Sequence, residues 1–92
     1  MQLYIITIER KEKILSGTDS VEDVLRNNFI YVKLTESAYL VKSQNSSVEI
    51  RNFLVENTVV IERLFVGEMA STAAWKNMIS DNEYIKGIFN NE

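Results

Sequence analysis

The sequence predicts a small α+β domain, and three observations predict it. Short β-branched runs alternate with stretches of helical spacing. Two of the runs, around Tyr31 and Leu40, lie close enough to pair as a hairpin. A serine capping box at Ser46-Ser47-Val48-Glu49 opens a helix directly after that hairpin. At 92 residues the chain has room for a single domain over 1–92.

The first element is a strand. Leu3 and Ile5 fall on one parity, Tyr4, Ile6 and Ile8 on the other, so both faces are expected to be covered. A short helix follows, opened by Asp19 with Glu22 or by Ser20 with Asp23. Val21, Val24 and Leu25 form its apolar face, and Asn27-Asn28 should end it. Phe29 to Leu34 is the second strand, with Ile30, Val32 and Leu34 facing one way, and Ala38 to Lys42 is the third. The helix opened by the capping box turns Ile50, Phe53 and Leu54 inward and stops near Asn57. Val59 to Val66 reads as a fourth strand, with Val60, Leu64 and Val66 on one side, Ile61 and Phe65 on the other, and Gly67 at its end.

A C-terminal helical segment is expected at about 71–90. Ala74, Trp75, Met78 and Ile79 form one stripe, and Tyr84, Ile85, Ile88 and Phe89 another, with a break at Ser80-Asp81-Asn82-Glu83. The order β-α-β-β-α-β is that of the split βαβ, or ferredoxin-like, arrangement. Helices would cover one face of a four-stranded antiparallel sheet. The other face would meet a partner, a ligand or the C-terminal segment.

Composition excludes several functions. The chain has no Cys and no His, which removes disulfides, N/S metal sites and the common catalytic triads. A net charge of −3 argues against general nucleic-acid binding. No apolar run approaches the roughly 20 residues of a membrane span. The apolar start lacks the basic flank and cleavage site of a signal peptide, so a cytoplasmic location is expected.

Carboxylate chemistry remains, with Glu9 at the end of the first strand as its best candidate. Paired carboxylates could hold Mg²⁺ or Mn²⁺, although most acids in this composition are surface charges. Arg10, Lys11 and Lys13 make a local basic patch suited to a phosphate, against the plainer reading of a solvated loop. Tyr31 and Tyr39 on the hairpin and Arg63 on the fourth strand complete the candidate contacts, with core packing or self-association favoured over base stacking for the tyrosines.

Three stretches together carry a resemblance: Tyr4-Ile5-Ile6-Thr7-Ile8-Glu9; Glu36-Ser37-Ala38-Tyr39-Leu40-Val41-Lys42-Ser43 with Ser47-Val48-Glu49-Ile50-Arg51; and Arg63-Leu64-Phe65-Val66 with Ala73-Ala74-Trp75. Their order and spacing resemble short stand-alone bacterial and phage proteins related to the second CRISPR-associated adaptation protein. The resemblance implies a ferredoxin-like fold and a homodimer built through the sheets. In the nuclease members an Asp closes the first strand, and two copies hold a divalent metal across the dimer. Glu9 stands at that position here, one methylene longer and followed by Arg10 and Lys11. The expectation is therefore a non-enzymatic homodimeric binding protein without cofactor. It would come from a phage or a mobile element and act on a host nucleic-acid or nucleotide-based defence, through a host protein or a nucleotide ligand. The alternative is a Mg²⁺- or Mn²⁺-dependent phosphodiesterase centred on Glu9.

Overall fold

The computed structural model describes residues 1–11, 20–70 and 73–90. The elements run β1 (Gln2–Arg10), α1 (Ser20–Asn28), β2 (Ile30–Thr35), β3 (Ala38–Ser43), α2 (Ser47–Asn57), β4 (Ile61–Met69) and α3 (Asn82–Asn90). The four strands form one antiparallel sheet in the order β2-β3-β1-β4. The small α+β class is therefore as the sequence predicts.

Register decides which residues share a face. Ile6 lies between Tyr39 and Val66, while Ile5 lies between Leu40 and Gly67. Tyr4, Ile6, Ile8, Tyr39 and Val41 thus point one way and are sealed by Val21 and Leu25 of α1 and Ile50 and Leu54 of α2. Each such side chain gains about 1.5–3 kcal/mol by leaving water. Leu3, Val32 and Leu40 point the other way and pack beneath Ile85 and Ile88 of α3. Both parities of β1 are apolar because both faces of the sheet carry a core.

Local chemistry sets the ends of α2. The Ser46 hydroxyl accepts from the Glu49 N–H at 3.1 Å, and the Glu49 carboxylate accepts from the Ser46 N–H at 2.8 Å. At the other end the Thr58 N–H and hydroxyl both donate to the Leu54 carbonyl, at 3.0 and 2.8 Å.

The structure corrects four expectations. Residues 73–80 are not helical. Asn77 takes a left-handed φ of 57°, and the Ile79 and Ser80 N–H groups donate to the Leu34 and Lys33 carbonyls at 2.9 and 3.0 Å. The segment runs along the outer edge of β2 and supplies part of what a neighbouring strand would. Tyr84 is 68% exposed, so the inward stripe of α3 reduces to Ile85, Ile88 and half-buried Phe89. Gly67 lies inside β4 instead of ending it. Ile61 shares a face with Arg10 and packs on the α1/α2 side, because a bulge at Glu9 and Arg10 shifts the register by one residue. The alternative helix starts at Asp19 or Ser20, and the basic residue Lys13, rest on side chains outside those described.

Candidate binding surface

The C-terminal segment covers only part of the second sheet face. α3 packs mainly on β2 and β3; its cluster reaches Leu3, Ile5 and Met69 at one end of β1 and β4 and leaves the other end outside it. Along this face of the β1–β4 pair run Ile5, Thr7 and Glu9 from β1, opposite Gly67, Phe65 and Arg63 from β4. Thr7 and Glu9 are exposed, Ile5 is half-buried, and Phe65 is 62% exposed. A shallow cavity of about 230 Å³ lies among Thr7, Glu9, Arg63 and Phe65. An exposed aromatic midway along the edge strand β4 is the most conspicuous feature of this surface.

The predicted site residues divide into two groups. Glu9 and Arg63 come together as a cross-strand ion pair on the open face. Their side chains are 59% and 74% exposed, so the pair adds little stability in water. Lys11 is exposed, and its N–H donates to the Val60 carbonyl at 2.7 Å, extending the β1–β4 ladder.

Arg10, Tyr31 and Tyr39 belong to the helix-covered side. Arg10 donates to the Glu36 carbonyl at 2.6 Å and to the Tyr39 hydroxyl at 2.9 Å. The Tyr39 ring is fully buried, because its parity places it under the helices, so it has no face on which to stack a base. Tyr31 is half-buried, its ring centroid 6.4 Å from that of Tyr39. The tyrosine pair serves packing, not an open sheet.

Glu22 of α1 organises this side electrostatically. It accepts from the Tyr31 hydroxyl at 2.7 Å and from the Lys33 ammonium at 3.3 Å. The Tyr31 hydrogen bond, aided by Lys33 and Arg26, holds the Glu22 carboxyl below its ordinary pKa against the opposing effect of burial. Burial, and then the bond to Glu22, pushes the Tyr31 phenol up. Burial pulls Lys33 down, but its contacts with Glu22 outweigh this and leave it raised. Such a satisfied network orients α1 on the sheet.

Among the described residues no group of three acidic side chains is placed to hold a metal ion. Among them, too, no helix is long and apolar enough to cross a membrane. The sequence reading passed over Phe65 and Gly67 as a unit. Their i, i+2 spacing on a strand was the available signal, since it sets an aromatic beside a residue with no side chain on the same face. Comparison with known proteins finds no matching family model, no matching curated protein and no matching solved structure.

Proposed function

We propose that this chain is a non-enzymatic binding module that works as a homodimer, its two copies joined through the open β1/β4 half-faces. The exposed Phe65 on that half-face carries the reading. Aromatic side chains are enriched at protein–protein interfaces relative to the rest of the surface. The occupant is a second copy because the patch is self-complementary in charge. A two-fold axis running along the strands between β1 and β4 sets Glu9 against the partner's Arg63, and Phe65 against the partner's Thr7. A closed isologous interface demands such reciprocity, and stacked sheets pack about 10 Å apart in this way. The sheet order β2-β3-β1-β4 with two helices on one face supports assigning the fold to the ferredoxin-like arrangement.

The phosphodiesterase reading has less support. A metal at Glu9 would have to displace the Arg63 guanidinium first.

Sedimentation equilibrium across the micromolar range tests the proposal, beside a Phe65→Asp variant whose melting curve reports folding. The wild type should sediment as a dimer and the variant as a folded monomer. A wild type that remains monomeric, or a variant that dimerises as strongly, overturns it.

A further inference from the structure

A cleft of about 670 Å³ lies at the opposite edge of the sheet, between the open end of β2 and α3. Ile30, Val32 and Ile88 make its apolar lining, and Phe29, Tyr31 and Tyr84 add aromatic surface. This volume is within the range of about 300–1,000 Å³ typical of small-molecule sites. Gly87 leaves room for it, since a Cβ there would meet nothing within 4 Å.

Positive charge enters the cleft at one place. Arg26 and Lys42 line it, and with Phe29 and Ile30 they also line an adjoining cavity of about 490 Å³. That second cavity is polar, with Asn27, Asn28, Ser43 and Gln44 around it. Arg26 is already engaged by Asp23 at 2.6 Å. Lys42, half-buried, forms no ion pair among the described residues. A cation thus stands at the junction of an apolar trough and a polar one. Glu83 also lines the apolar trough but not the polar one, and it disfavours a second anionic group there.

We infer that this cleft binds a small organic molecule with a flat apolar body and a single anionic group, a carboxylate or a phosphate ester. The body lies over Ile30 and Val32 beside Tyr84, and the anion meets Lys42 and Arg26. The inference does not depend on the dimer, because the cleft adjoins β2 and the proposed interface is at β4.

The test titrates the whole chain with 2-naphthoate, 2-naphthyl phosphate, neutral 2-naphthylmethanol and cationic 2-naphthylmethylamine, reading backbone amide shifts. The two anions should bind at least fivefold more tightly than the alcohol and should shift the amides of Ile30, Lys42 and Gly87. Lys42→Gln should erase that preference while leaving the alcohol unaffected. Gly87→Leu projects a side chain into the trough from a position whose Cβ has free space and should weaken every probe at least tenfold. Equal affinity for all four probes, shifts confined to other regions, unchanged affinity in Gly87→Leu, or no binding up to millimolar probe would each overturn the inference.

Discussion

The ring of Phe65 lies directly over Gly67: a Cβ built on Gly67 would come within 2.8 Å of the Phe65 Cε1 atom. The glycine therefore provides the shelf on which an exposed aromatic rests. Glycine inside a strand costs about 0.5–1 kcal/mol relative to alanine, and here that cost accompanies a defined orientation of the ring. Aromatic cover of a strand glycine is a known device for fixing a sheet face.

Replacing Gly67 by alanine separates stability from association. The Phe65 ring is the free end of an exposed side chain and can swing aside, while the strand gains the alanine preference. The net change in unfolding free energy should stay within about 1 kcal/mol by denaturant titration. Dimerisation, followed by sedimentation, should weaken at least tenfold because the ring no longer lies flat on the face.

Acid sensitivity should trace in part to Glu22. Its carboxyl titrates lower in the folded chain than its ordinary 4.5, so the folded state binds fewer protons there than the unfolded state. The contribution is fully present above about 4.5 and is lost as the pH falls through the folded value. Glu22→Gln should therefore flatten the decline of stability in that acid window, read from urea midpoints at successive pH values. An identical slope in both proteins would contradict the assignment.

The capping box of α2 offers a local check. Ser46→Ala leaves the Glu49 N–H without its side-chain acceptor. The expected loss is about 1 kcal/mol, with a lower melting temperature and little change in dissociation of the dimer.

The C-terminal segment should depend on Trp75. Its ring stacks on Phe89 with centroids 5.8 Å apart and planes 5° from parallel, and its indole N–H donates to Asn82 at 3.1 Å. Trp75→Ala should cost about 1–3 kcal/mol. Hydrogen exchange should quicken at Ile79 and Ser80 well beyond any change in β1.

Much of this architecture was legible from residue pattern alone. The double apolar parity of β1 announced a strand covered on both faces, and Ser46 with Glu49 announced α2. The hairpin followed from the break at Thr35-Glu36-Ser37. What escaped depends on tertiary context. Ala74, Trp75, Met78 and Ile79 have helical spacing, yet backbone bonds to the edge of β2 hold that segment irregular. The bulge at Glu9 and Arg10 reverses Ile61 in a way no alternation rule anticipates. Burial of Tyr39 follows from register, because only its pairing with Ile6 puts the ring under the helices. The site was legible only in part. Glu9 and Arg63 were identified singly, whereas their cross-strand meeting and the exposure of Phe65 needed the sheet.

The central claim, that the β1/β4 half-face joins two copies, is tested most directly by isotope-filtered NOE spectroscopy. An equimolar mixture of labelled and unlabelled chains reports only contacts between copies. Cross-peaks between the Phe65 ring protons and the Thr7 methyl group of the partner subunit are the predicted result. A dimer whose intermolecular contacts arise only elsewhere, or a sample without intermolecular cross-peaks, would contradict the account.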